Sequence, residues 1–425
     1  MLVFETSLSG HRGYYVKVLA KHLAELGFEV GVTVSDGSQN EPEYQQQISD
    51  LEGICQFLII EPCRGKPAQI ARQRFQRLVD VVKKFKPQHV YVPYADGLSQ
   101  VWGAKWFPSK KVAFGDSELF IEGLMMRGTH AYPTNRLSAK LKSLLSFRLT
   151  KRARWDCLHH LDPLSYQHFP KTNRHSLLPE ATDPLSVTNR EEACKILSLP
   201  SDKKIIACPG GVNERKGVHL LLKAYQRAAL SDTCLVLFGR HSKGIKQLLG
   251  SDLYDMIESK RIISVDRFVT NQEFDSLFAV ADLIVAPYSN HIGSSSIVIR
   301  AARAGKPLVC TNQGWIGWAA TRFGLGATCN PHNVNEFAAK LELNGSKDLN
   351  HDARGEFVKF HSLENHLAHW TLRIRERAGL SNQQPFPFPL DIFQIDLSED
   401  RGKTCLLYTS PSPRDRTRSR MPSSA

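Results

Sequence analysis

The chain has 425 residues, too long for one ordinary domain and long enough for two hydrophobic cores; with 42% apolar and 23% charged residues, its composition excludes a disordered, fibrous or disulfide-stapled class. No stretch approaches the roughly 20 consecutive apolar residues a membrane-spanning helix needs, and the opening MLVFET has no basic region leading into an apolar one, so no secretory signal is expected. The net charge of +13 points to an anionic partner: nucleotide phosphates, nucleic acid or acidic lipid headgroups.

From Met1 to about Asp183, short β-branched runs alternate with helical stretches, the pattern of a parallel sheet with crossover helices. LVFE reads as a strand and SLSGHRG as the turn that ends it. Tyr15, Val18, Leu19, Leu23 and Leu26 then recur at helical spacing until Gly27. Further strands are expected at EVGVTVS, QFLIIEP, HVYVP and KVAFG, and Ala71, Phe75, Leu78, Val82 and Phe85 mark an amphipathic helix ended by Pro87. Residues 136–154 carry seven basic residues, with Leu137, Leu141, Leu144 and Leu145 along one face. Such a helix either lies on an anionic membrane surface or packs its leucines into the core and solvates its charges. Nucleic acid is not expected, for lack of aromatic interleaving or a recognition-helix motif.

HSLLPEATDP, residues 175–184, reads as a strand running into a Pro-rich connection, after which EEACKIL forms a short helix and the alternation resumes. KIIACPG, CLVLFGR, IISVDRF, DLIVAPY and PLVCTN give a second βα series. The expected organisation is an amino-terminal Rossmann-like domain over 1–184, a second such domain over 185–345, a helical segment over 346–380 and a linker or strap over 381–404. Residues 405–425 resemble a translated sequencing-library adapter. That tail holds four arginines against one aspartate, so the rest of the chain keeps +10. Nine cysteines lie scattered without the paired spacing of a zinc site and read as small buried hydrophobes in a reducing cytoplasm.

Two successive parallel α/β domains imply a cleft, with ligands gathered at the carboxyl ends of the strands. Three loops stand out there. Gly10, His11, Arg12 and Gly13 join the first strand to the first helix, where free amides favour an anion or sugar hydroxyls, on the acceptor side. Gly210, Gly211, Arg215, Lys216 and Gly217 lie in the turn after KIIACP, before a helix carrying Leu220, Leu221, Ala224 and Tyr225. His291, Gly293, Ser294, Ser295 and Ser296 follow DLIVAPY and open the helix IVIRAARAG, leaving amides and hydroxyls for a phosphate. Asp96 and Asp116 end segments on the cleft side, where either would bind an acceptor or act as a catalytic carboxylate.

The second and third loops, with NQEFDSLFAVAD, ADLIVAPY and ARAGKPLVCTNQG in that order, resemble the family-four retaining glycosyltransferases over about residues 200–340. The resemblance implies the GT-B architecture: two Rossmann-like α/β domains facing a cleft, acceptor loops on the first and a nucleotide-sugar donor on the second. It assigns Lys216 to the donor diphosphate and the backbone around Asp266, Arg267, Phe268 and Val269 to the base. Gly314 to Gly317 shape the sugar pocket unless Trp315 is simply core. The chain also departs from the family. Gly211 stands where an arginine is usual, and Ile292 and Arg300 stand where two glutamates seven residues apart are usual. Arg300 cannot accept the ribose hydroxyls as the second glutamate does, which leaves Ser296 or a backbone carbonyl for that task.

The sequence therefore predicts transfer of a sugar from a nucleotide-diphosphate sugar to a sugar, lipid-linked or other small acceptor. Retention of configuration is implied by the resemblance, and no cofactor or metal is expected. The expected location is the cytoplasm, including the inner membrane face. The alternatives are a GT-B protein that binds sugar or nucleotide without catalysis, and a sugar-nucleotide epimerase on the same fold.

Overall fold

A computed structural model of the chain describes residues 1–8, 10–104, 108–115, 118–132, 137–170, 172–186, 189–228, 230–289, 291–342, 349–377 and 385–386. Asp116, the 405–425 tail and the strap apart from Pro385 and Phe386 lie outside the described residues.

Two parallel sheets organise the chain. The first contains β1 (Leu2–Val3), β2 (Gly31–Ser35), β3 (Gln56–Ile60), β4 (His89–Val92), β5 (Phe120–Met125), β6 (Cys157–His160) and β7 (His175–Leu177), in the order β3-β2-β1-β4-β5-β6-β7. The second contains β8 (Lys204–Pro209), β9 (Thr233–Phe238), β10 (Ile262–Val265), β11 (Leu283–Ala286), β12 (Leu308–Thr311) and β13 (Gly326–Cys329), in the order β10-β9-β8-β11-β12-β13. Helices cover both faces, so inner strands such as β9 and β11 are buried along their whole length, which is why they read as continuous apolar runs. The two-sheet α/β class expected from the sequence is thus present.

One expected strand is a helix. KVAFG belongs to Lys110–Phe114, started by Ser109, whose hydroxyl accepts from the Val112 N–H at 3.3 Å, and ended by Gly115 in the left-handed region at φ 79°. A short apolar run fits either element, and the caps decide it. The strand that follows is FIEGLM, β5. It and the short strands β6 and β13 had no distinct signal of their own.

Each sheet has one place where the strand order reverses. In the first it lies between β1 and β4, in the second between β8 and β11. Crevices open beyond the carboxyl ends of strands at such points. The loops that leave β8 and β11 are the two glycine-containing loops singled out from the sequence.

The helix Leu363–Arg377 returns from the second half to the first sheet. Trp370 stands edge-on to Tyr91 at 5.0 Å and against His159 at 4.4 Å. Beneath it, Glu122 on β5 meets His89 Nε2 at 3.3 Å, His159 Nε2 at 3.5 Å and Arg373 at 3.4 Å. Burial works against the Glu122 carboxylate, but hydrogen bonds from His159 and His89 outweigh it and hold its pKa far below the usual range. Burial likewise opposes charge on His159, yet Cys157 and Glu122 push its pKa up to about 9. Glu122, Cys157 and His159 also bring ligand atoms within 4.8 Å of one another, at the end of the sheet away from the crevice, with the Arg373 guanidinium already on the carboxylate.

A pH dependence follows from these shifts. The raised pKa of His159 contributes stability in full below its ordinary 6.5, lost as pH rises through about 9, whereas Glu122 contributes in full above its ordinary 4.5, lost as pH falls below it. Denaturant unfolding at a series of pH values is expected to show stability declining between about pH 6.5 and 9; a flat profile over that range would remove the network as a contributor.

Candidate functional site

The turn after β8 is built to present a lysine. Asn213 caps a single turn of 3-10 helix, Glu214–Lys216, by accepting the Lys216 N–H at 3.0 Å. Gly217 then takes φ +72°, pressed so closely on the Pro287 carbonyl that a Cβ would collide with it. The Lys216 ammonium consequently folds back over the turn, 2.6 Å from where a Cβ on Gly210 would stand and 5.2 Å from the centre of the Tyr288 ring. Gly211, by contrast, has open space beside it, with only the Asn213 side-chain amide within 4 Å.

The loop after β11 comes to the same place. His291 Nε2 donates to the Ser294 carbonyl at 2.9 Å, and its Nδ1 accepts from Arg215 at 3.4 Å. Burial lowers the His291 pKa to about 4; the Ser294 carbonyl opposes this, and the charges of Arg215, Lys216 and Arg127 add to it. The ring is therefore neutral and surrounded by cations. Among the described residues, none of Arg127, Arg215 and Lys216 has a carboxylate within ion-pair distance.

 An unpaired positive cluster at a strand-order reversal is a place for an anion.

The backbone expected to be open at the helix start is closely approached by the first half of the chain. Gly293, at φ +96°, lies so close to the Met126 carbonyl that a Cβ would stand 2.6 Å from it. The Tyr132 hydroxyl donates to Asp162 at 2.5 Å and has the backbone N–H groups of Gly293 and Trp315 close enough to favour its oxygen. Ser295 is buried, while Ser294 and Ser296 are half-buried.

Other predicted residues are placed as follows. Arg300 reaches Asp275 at 2.6 Å, and Asp275 in turn accepts from Ser186 at 2.8 Å, so Arg300 ties its helix to the connection between the sheets. Arg267 is exposed and folds onto Glu273, while Phe268 is exposed with the Arg240 guanidinium 5.5 Å from its ring. Trp315 is core. Asp96 is buried, and its two oxygens accept the N–H groups of Met126 at 3.0 Å and Arg127 at 2.7 Å; burial raises its pKa to about 6 against those bonds. It therefore orients the Arg127 segment, and a free catalytic carboxylate is not what the geometry offers. Gly10 and His11 are exposed, Gly13 is buried, and Arg12 stacks on Tyr94 at 3.9 Å beside the buried Glu5.

Sequence reasoning missed Arg127, Tyr132, Arg240 and Glu180. Arg240 had a signal, since it follows β9 with only Gly239 between them. Arg127 follows a strand that was itself missed, and Glu180 sat in what read as a connection.

Residues 189–353 match the family model described as glycosyl transferases group 1. The glycogen synthase of Mycobacterium tuberculosis is 31% identical over 137 residues, which are 31% of this chain and 31% of that one, so the match spans about a third of the relative's length. Among solved structures, the sucrose-phosphate synthase of Thermosynechococcus elongatus superposes with a TM-score of 0.69 at 15% identity, covering 89% of this chain and 99% of that one. The Anabaena HepE protein in complex with UDP and glucose gives 0.64 at 14% identity, covering 88% and 99%. At these identities the structures speak for the fold, and the fold is GT-B. The group 1 glycosyl transferase match includes both second-half loops of the site, the one with Arg215 and Lys216 over Gly210–Gly217 and the one over His291–Ser296.

Proposed function

We propose that this protein transfers a sugar from a nucleotide-diphosphate sugar to an acceptor held by the first half of the chain. The observation that carries the reading is the convergence of Lys216, Arg215 and Arg127 on His291, unpaired, where the loops of β8 and β11 meet. Departure of a nucleoside diphosphate leaves negative charge, and fixed cations stabilise it most where water is scarce. These three cations would do so without a metal. The exposed Phe268 face, backed by Arg240, suits the nucleotide base. Retention follows from the family resemblance, with the leaving phosphate helping to take the acceptor proton. Incubating the full chain with a panel of nucleotide sugars and following release of nucleoside diphosphate tests the reading. No release and no binding with any donor would refute it.

A binding protein without catalysis is the second reading, favoured by Ile292 and Arg300 in place of carboxylates. Its mark would be saturable nucleotide-sugar binding with no turnover on any acceptor.

The acceptor side carries a further clue. In the Leu137–Arg152 helix the leucines face outward: Leu137 is 73% exposed, Leu141 60% and Leu145 58%, among the exposed Lys140, Lys142 and Arg148. The buried alternative expected for this helix is thus not what is seen. Among the described residues no helix is long and apolar enough to cross a membrane. We assign this face to an anionic lipid surface, and with it a lipid-linked acceptor at the inner membrane face. Leu141→Ser with Leu145→Ser is expected to lower co-sedimentation with phosphatidylglycerol vesicles by on the order of tenfold. Equal sedimentation of parent and variant would refute the assignment.

A further inference from the structure

We propose that Glu180, in the connection between the two sheets, receives a hydroxyl of the donor's sugar. The assignment rests on the nucleotide-sugar reading above and adds to it the group that recognises the sugar.

Glu180 is 4% exposed. The connection around it is clamped: the His361 ring bonds the Glu180 carbonyl at 3.0 Å, His366 bonds the Pro179 carbonyl at 2.7 Å, and Tyr14 donates to Asp183 at 3.1 Å. The carboxyl group is thereby set between the halves, beside the Ser294 hydroxyl and within the electrostatic reach of His11 and Arg300. Its Oε2 atom is buried and has no hydrogen-bond partner. A buried carboxylate oxygen left unpaired is costly, and a hydroxyl donor relieves that cost.

Position selects the kind of hydroxyl. Ser294 adjoins Gly293, and its carbonyl holds His291 within the cation cluster. The base platform at Arg240 and Phe268 lies instead beyond β9 and β10, at the other side of the second sheet's crevice. A ligand with its diphosphate at Lys216 and its base at Phe268 directs its sugar toward the first half, where Glu180 and His11 stand. Ile292 offers no side-chain acceptor there, and Arg300 is a donor committed to Asp275.

Calorimetric titration of the full chain with UDP, GDP and ADP, and with the corresponding diphosphate-glucoses, tests this. For the best-bound pair, Glu180→Gln is expected to weaken the nucleotide sugar at least about tenfold while leaving the nucleoside diphosphate within about twofold. Glu180→Asp, which keeps the acceptor on a shorter stem, should fall between. Equal affinity of parent and Gln variant for the sugar-bearing ligand would overturn the assignment, as would proportionate loss of both ligands. If the parent binds no nucleotide at all, the donor reading itself fails and this assignment falls with it.

Discussion

Replacing Lys216 with alanine is expected to lower transfer from a nucleotide sugar by roughly 10²–10³-fold, the usual cost of deleting one electrostatic contact to developing charge. The ammonium is half-buried and held by the turn geometry of Asn213 and Gly217, so its position is prepared before any ligand arrives. Arg215 and Arg127 remain nearby, which limits the loss in binding and concentrates the effect on turnover. Lys216→Ala leaves the backbone bonds of the turn in place, so the melting temperature should stay within a few degrees. Steady-state kinetics with the best donor checks the first part and a thermal melt the second. Unchanged turnover would remove the diphosphate contact from the mechanism.

The second expectation concerns stability. Gly217→Ala should destabilise the chain by about 3 kcal/mol, combining about 1–2 kcal/mol for a side chain in the left-handed region with a further cost of overpacking. The added methyl group would meet the Pro287 carbonyl, which is backbone and cannot swing aside. A shift of that size lowers the melting temperature by roughly 6–12 °C in a unit of 150–250 residues. A change of less than about 2 °C would mean that the turn and the β11 loop separate easily, against the close packing described.

Much of the fold was legible because inner parallel strands must be apolar throughout: KIIACP, TCLVLF and LIVA announce themselves. KVAFG was misread because a short apolar run such as Val112 to Phe114 fits either element, and its outcome depends on Ser109 and Gly115. The short strands CLHH and GATC offer too little sequence for periodicity to act on. At the site, both loops of the second half were visible as glycine turns between strand and helix. Local pattern could not say that Arg300 turns to Asp275, that Asp96 spends both oxygens on backbone, or that a glutamate 114 positions from Ser294 would come to stand beside it, because each depends on how distant segments meet.

Tyr132 bears on how fast a ligand could enter. Its hydroxyl already faces the N–H groups of Gly293 and Trp315, so an oxygen arriving there must displace an internal competitor tethered by Asp162. Apparent affinity then equals the intrinsic value reduced by the fraction of molecules with that phenol withdrawn, and association would saturate at the rate of its withdrawal rather than rise indefinitely with concentration.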